Sequence, residues 1–348
     1  MKEIVAKRIK SARVMAGLSL RELSIKMEKS VSYNAIAKYE KAEMMPDSKV
    51  IIALSKALQV KPDFFFRPYS VEIRGIKFRK KQNLGAKKIE GLKEEVTESL
   101  ARYLEIEQFL QIRTSFDNPV LNMMISDGDD VEKAVELLIS KWNIGINAIA
   151  NVVEMLEDKE IKVIEAVAPP AFDGLSGWAD QNIPVIVINK HFDIERKRFT
   201  ALHELGHTIL QFDPVLSETE KEKLCHRFAG ALLIPMETFI SEVGKNRTTI
   251  SLHELIKLKE SYGISLQAIM ARARDLSVVS PHTYKQFCIF IAKNRVEKGL
   301  GKFLGKERSD RFKALVYRAA SEEIISISKA ANLCNQKLAE FRDELVLI

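Results

Sequence analysis

The chain has 348 residues, of which 46% are hydrophobic and 29% charged, with a formal net charge of +7. That length implies about two to three domains with real apolar cores. Three isolated cysteines (Cys225, Cys288, Cys334), no apolar run of membrane-spanning length and no secretory start at Met1-Lys2-Glu3-Ile4 speak against a disulfide framework, a Cys-rich zinc site, a membrane partner or export, and fit a cytoplasmic setting.

The charge is unevenly placed. Residues 1–70 hold 14 Lys/Arg against 7 Asp/Glu, which points to a polyanion, most simply nucleic acid. Five short helices are expected over residues 4–66. Ile4–Met15 stops at Gly17, a helix C-terminal signal. Ser19 caps Leu20–Met27, and Glu22 completes a capping box. The polar turn Glu28-Lys29-Ser30 leads to Val31–Lys41, which Ser32 can cap. Pro46-Asp47-Ser48 opens Lys49–Leu58, and Pro62 opens a fifth helix ending in Phe64-Phe65-Phe66. Two short helices around a tight turn, the second polar and basic, make a helix-turn-helix.

This stretch, with its "LSLRELS", "NAIAKYEKAEMMPD" and "ALSKALQVKPDFF", resembles the Xre/lambda-repressor type. The resemblance implies a partner of double-stranded DNA, with Ser32, Tyr33, Asn34 and Lys38 facing the major groove. Asn34 and Ser32 suit base edges and Lys38 a phosphate. Tyr39 is expected to pack the third helix and Glu40 to pair with Lys41 or Arg21. A homodimer is expected, because single domains of this type bind DNA weakly.

Phe66-Arg67-Pro68 closes this domain, giving residues 1–69. Residues 70–115 read as a basic linker, with a cluster at Lys77–Lys81, and a connecting helix over Ala86–Ile112 that packs on the next domain. Helices follow at Val131–Trp142 and Ile146–Glu157, then strands at Ile161–Val167 and Pro184–Asn189. Between the strands, Phe172–Asp180 is Gly-rich and reads as a loop, either walling a cleft or making a tight surface turn. The apolar strand Val185–Ile188 is expected to offer an edge to an extended peptide.

The next segment carries the chemistry. Glu195–Phe212 is helix-favouring and contains His203-Glu204-Leu205-Gly206-His207, an HExxH motif. Histidines four apart share one helix face, so both imidazoles can reach one zinc ion, and Glu204 can act on a zinc-bound water. Gly206 costs about 1 kcal/mol relative to Ala in a helix, so a close approach is expected there. A catalytic zinc wants a third protein ligand. The following helix, capped by Ser217 with Glu220, runs to Leu233 and carries Glu222 and His226 four apart; spacing leaves both as candidates. For oxyanion stabilisation, Tyr262, His253 and Arg272 stand equal.

Residues 70–300, through "FDGLSGWAD", "PVIVIN", "ERKRFTALHELGHTIL" and "EKLCHRFAGALLIP", resemble the ImmA/IrrE family of zinc metallopeptidases. The resemblance implies Zn2+ held by His203, His207 and Glu222, with Glu204 as general base and His226 beside the metal rather than on it. Cys225 is read as a small buried residue. The expected fold is α+β and mostly helical: a five-helix lambda-repressor-like domain, a zincin-like domain with a small sheet over 116–285, and a helical region over 286–348 serving as a lid or interaction domain. The expected activity is zinc-dependent endopeptidase cleavage of a regulatory protein, such as a Xre-type repressor, in a stress response. The other reading is a transcriptional or antitoxin-like regulator that binds a toxin or senses a signal without proteolysis.

Overall fold

The computed structural model describes residues 1–68, 85–113, 115–180, 182–294, 297 and 299–345, and the backbone of 73–78. Residues 79–81 of the basic cluster, and the side chains of Lys77 and Phe78, lie outside the described residues. In chain order the elements are α1 (Lys2–Met15), α2 (Leu20–Lys26), α3 (Tyr33–Glu40), α4 (Ser48–Leu58), β1 (Ile73–Phe78), α5 (Ala86–Phe109), β2 (Met124–Ile125), α6 (Gly128–Trp142), α7 (Val152–Asp158), β3 (Lys162–Ala166), β4 (Gly174–Ala179) and β5 (Ile183–Asn189). Then come α8 (Ile194–Ile209), β6 (Gln211–Phe212), α9 (Glu218–Leu233), α10 (Met236–Val243), α11 (Leu252–Tyr262), α12 (Leu266–Asp275), α13 (Pro281–Ile291), α14 (Arg311–Ser321), α15 (Ile327–Leu333) and α16 (Leu338–Glu344). The fold is α+β and mostly helical. Pro62–Phe66, expected as a fifth helix, is a single 3₁₀ turn, too short to close more than one turn. The helix expected from Ile146 starts only at Val152, where Asn151 caps it.

The chain divides into two compact units, one of Met1–Ile73, Lys80–Arg113 and Arg311–Ile348, the other of Arg74–Arg79 and Thr114–Asp310. In the first, the caps are local and strong. The Ser19 hydroxyl accepts from Glu22 N while the Glu22 carboxylate accepts from Ser19 N, and the Ser32 and Asp47 side chains cap α3 and α4 by accepting from Ala35 N and Val50 N. Val5, Ile9, Leu23, Ile36, Leu54 and Phe65 meet in one core, each contributing about 1.5–3 kcal/mol by leaving water. Glu40 accepts two bonds from Arg13, at 2.6 and 2.8 Å, so α1 rather than Arg21 or Lys41 supplies its cation.

The stripe of α5 faces α1 and α14 of this same unit. A Cβ at Gly91 would sit 2.9 Å from the Val14 carbonyl oxygen, so the bare backbone there permits the close approach. Glu98 on α5, nearly buried, accepts from Arg8 at 2.5 Å and from Arg67 and Arg102 at 2.8 Å each. The C-terminal helices α14–α16 belong to this unit. Val316, Ala319, Ala331 and Phe341 pack with Ile106 of α5, and Lys61 Nζ donates to Asn332 Oδ1 at 2.8 Å. Ile327–Leu333 forms α15, capped by Ser326.

The second unit is built on a four-stranded sheet of order β1-β4-β5-β3. β5 runs parallel to β3 and antiparallel to β4, with Ser176 opposite Ile186. The sheet departs from two sequence expectations. The Gly-rich stretch after Phe172 is not a loop but strand β4, buried at five of six positions. Its two glycines lower strand propensity, yet at Gly174 the bare backbone lets α8 press on the sheet, since a Cβ there would fall 2.7 Å from Thr200 Cγ2. β5 is not an edge: β4 and β3 take its two sides, which is why all seven of its residues are buried and why it cannot receive a peptide.

Helices α8 and α9 lie at the centre of this unit's core. Leu202, Leu205 and Ile209 of α8 meet Phe228 and Leu232 of α9. A Cβ at Gly206 would fall 3.2 Å from Phe228 Cδ1 and 3.3 Å from Cys225 Sγ; the glycine therefore sets how near α9 comes. Glu132 of α6 accepts from Arg272 at 2.5 and 2.7 Å and from Arg227 of α9 at 2.9 Å. Burial pushes the Glu132 carboxyl up, but Arg272 and Arg227 outweigh it and hold it below the usual carboxylate range. Arg198, at the base of α8, is fully buried and paired to Glu307 at 2.8 Å.

Candidate metal centre and DNA-facing helix

His203 and His207 project from one face of α8, one turn apart. Their Nε2 atoms are 2.9 Å from each other. Glu222 comes from the second turn of α9, with its carboxylate 3.1 Å from His207 Nε2 and 3.6 Å from His203 Nε2. Donors held tetrahedrally at about 2.0–2.2 Å from one ion lie about 3.3 Å apart, and the three spacings bracket that value. Two imidazole nitrogens and a carboxylate converging so closely need a proton or cation among them, and this donor set fits a divalent ion. Among the described residues, these three form the one group with metal-ligand spacing.

The surroundings prepare that convergence. Cys225 Sγ lies 3.5 Å from His207 Nδ1; a thiol partner for Nδ1 leaves Nε2 directed at the metal position. Cys225 is fully buried. His226 does not join the group. Its Nδ1 donates to the Glu222 carbonyl at 2.6 Å, and its ring stands edge-on to His203 with centroids 4.4 Å apart. It borders a cavity of about 620 Å³, also lined by Phe199, Lys223 and Tyr284.

Glu204 is 1% exposed. Ser176 of β4 donates to its Oε2 at 3.0 Å, and a Cβ at Gly174 would sit 3.1 Å from its Cγ. Strand β4 thus carries two residues that touch the glutamate. Reading the stretch as a loop hid both; a Gly-x-Ser-Gly run just before an apolar strand and an HExxH helix is the signal that could have found them. The three oxyanion candidates fare differently. Arg272 is committed to Glu132, the Tyr262 hydroxyl donates to Glu242 at 3.3 Å, and His253 is exposed on α11.

In the first unit, Ser32, Tyr33, Asn34 and Lys38 are all exposed. The turn before α3 uses two residues of positive φ, Glu28 at 54° and Lys29 at 58°, and the Ser24 hydroxyl ties it down by donating to the Val31 carbonyl at 2.7 Å. Ser32 Oγ accepts from Ala35 N at 3.2 Å, so one lone pair belongs to the cap while its hydrogen stays available. The Arg21 guanidinium lies 5.4 Å from the Tyr33 ring centroid. Tyr39 is buried in the core, as its position predicts.

Fold and site together define a class: a helix-turn-helix joined to a peptidase-family domain with a His-His-Glu group. The family comparisons agree. The helix-turn-helix family model matches residues 9–65, and the peptidase family model described as IrrE N-terminal-like domain matches residues 156–274. The chain is therefore a fusion of an Xre-type helix-turn-helix with an ImmA/IrrE-family domain. His203, Glu204, His207 and Glu222 all fall inside the second match. A comparison with curated proteins finds no match to the chain. The helix-turn-helix match supports DNA binding, and among the described residues no helix is long and apolar enough to cross a membrane.

Proposed function

We propose that the chain is a DNA-binding regulator with zinc-dependent endopeptidase activity, and that its substrate is a regulatory protein such as a Xre-type repressor. The observation that carries this reading is the convergence of His203, His207 and Glu222 at 2.9–3.6 Å next to the buried carboxylate of Glu204. His203 Nε2, His207 Nε2 and a Glu222 oxygen would hold the ion; two nitrogens and one carboxylate suit zinc. When bound, zinc supplies Lewis acidity to the scissile carbonyl and makes a water acidic near neutral pH.

The chain's own groups do the rest. Glu204 takes a proton from the attacking water and returns it to the leaving amine. Ser176, donating to Glu204 Oε2, orients that carboxylate. The cavity beside His226 receives a substrate side chain. In the helix-turn-helix unit, Asn34 and Ser32 read base edges, Lys38 contacts a phosphate, and Tyr33, stacked near Arg21, lies along the groove wall. A homodimer supplies two such helices to one operator.

A regulator whose zinc domain only binds a partner or toxin has no use for a buried, oriented glutamate beside the metal, so Ser176–Glu204 favours hydrolysis. The test is metal content and cleavage together. Purified chain is expected to hold one zinc, to cut a Xre-type repressor, and to lose both properties in Glu222→Ala. Full zinc occupancy in that variant would remove the proposed ligand set.

A further inference from the structure

Strand β1 pairs with the strand that borders the same site, and a role for it there rests on the peptidase reading. β4 touches Glu204 twice, through the Ser176 hydroxyl at 3.0 Å and through the close approach of Gly174. It is therefore the strand that runs alongside the proposed catalytic carboxylate. β5 occupies one side of β4. The other side is the place where an extended peptide can add by main-chain pairing beside the strand that contacts Glu204. β3 cannot serve, since β5 separates it from β4, putting it about 9–10 Å from that strand.

That side of β4 is already taken. The sheet order is β1-β4-β5-β3, and β1 is the chain's own Ile73-Arg74-Gly75-Ile76-Lys77-Phe78. This hexapeptide follows the helix-turn-helix match, which ends at residue 65. It has no acidic residue, no proline, two basic residues and three large apolar ones. An uninterrupted set of backbone donors and acceptors is what strand addition requires.

We propose that residues 73–78 hold the position a substrate peptide takes on β4, so that the chain's own segment closes the peptidase site until that strand is displaced. The kind of partner that fits is an extended peptide able to pair with β4 in place of β1. Displacement would come from whatever draws residues 73–78 away.

Hydrogen exchange on the full-length chain tests this. Two variants are compared with the wild type: Ile76→Pro, which removes a backbone donor and is poorly tolerated in a paired strand, and a chain with residues 73–78 replaced by six Gly/Ser residues. Both should retain zinc. Alternate amides of residues 174–179 should exchange about tenfold faster or more in each variant, and the synthetic hexapeptide IRGIKF should restore protection in the Gly/Ser chain. Hydrolysis of an extended reporter peptide should rise severalfold in both. Unchanged exchange in β4 overturns this inference and leaves the peptidase reading intact. Faster exchange with no rise over a measurable wild-type hydrolysis overturns the assignment of that edge to substrate. No hydrolysis by any zinc-loaded form overturns the peptidase reading itself, while the exchange data still decide whether β1 covers β4.

Discussion

Gly174→Ala tests whether β4 positions the proposed general base. The added Cβ would lie 2.7 Å from Thr200 Cγ2, 3.0 Å from the Val187 carbonyl oxygen and 3.1 Å from Glu204 Cγ. The carbonyl is fixed in the β4–β5 ladder, and Thr200 is buried on α8, so neither can yield cheaply. Either α8 lifts from the sheet or Glu204 leaves its rotamer. Overpacking of this kind costs about 1–3 kcal/mol, and an off-rotamer glutamate about 0.5–1.5 kcal/mol. A unit of this size should lose roughly 2–10 °C in melting midpoint. Displacing the carboxylate by a fraction of an ångström should lower kcat about 10- to 100-fold, while His203, His207 and Glu222, untouched by the methyl, keep their zinc. The assay is calorimetry, metal content and turnover on one preparation. A folded, zinc-loaded Gly174→Ala with wild-type kcat would show that β4 does not orient Glu204.

Other expectations concern the charge clusters and the helix-turn-helix. Glu132→Gln leaves Arg272, 1% exposed, without its carboxylate, and should cost about 3–5 kcal/mol in denaturant unfolding; a loss under about 1 kcal/mol would mean that water reaches that pair. Burial raises the Glu98 carboxyl, but Arg102, Arg67 and Arg8 outweigh it and set it below its ordinary value. A depressed folded-state pKa means this stabilisation is complete above the unfolded value and is lost as pH falls through the folded one. Acid melting curves of the first unit should show that loss, and Glu98→Gln should flatten it. Lys38→Ala should weaken DNA binding about equally across sequences and reduce the salt slope by about 1, whereas Asn34→Ala should cost about 1–3 kcal/mol at one base pair only. Equal effects of the two changes on all sequences would deny Asn34 a reading role.

Local chemistry made much of the structure legible. Ser19 with Glu22, Ser32, Asp47 and Ser217 with Glu220 cap helices where their spacing predicts, because a cap depends on a few adjacent residues. His203 and His207 face one way because a helix repeats every 3.6 residues, and Gly206 stands at a close helix contact. What failed depends on partners distant in sequence. β4 was hidden because glycine and serine weaken the alternation that marks a strand, and Ser176 went unnoticed with it. The central place of β5 is a property of sheet order, which its own apolar run cannot reveal. Glu40 found Arg13, 27 residues away, and the stripe of α5 found α1 and α14, because burial of an apolar face does not specify which neighbour covers it.

The central claim is that Glu204 acts as a base beside zinc held by His203, His207 and Glu222. Its most direct test is cleavage of a Xre-type repressor by zinc-loaded wild type and by Glu204→Gln, with metal content measured on both. One zinc per chain in each, and cleavage by the wild type alone, is the predicted result. Equal cleavage by a zinc-loaded Glu204→Gln chain would contradict the account.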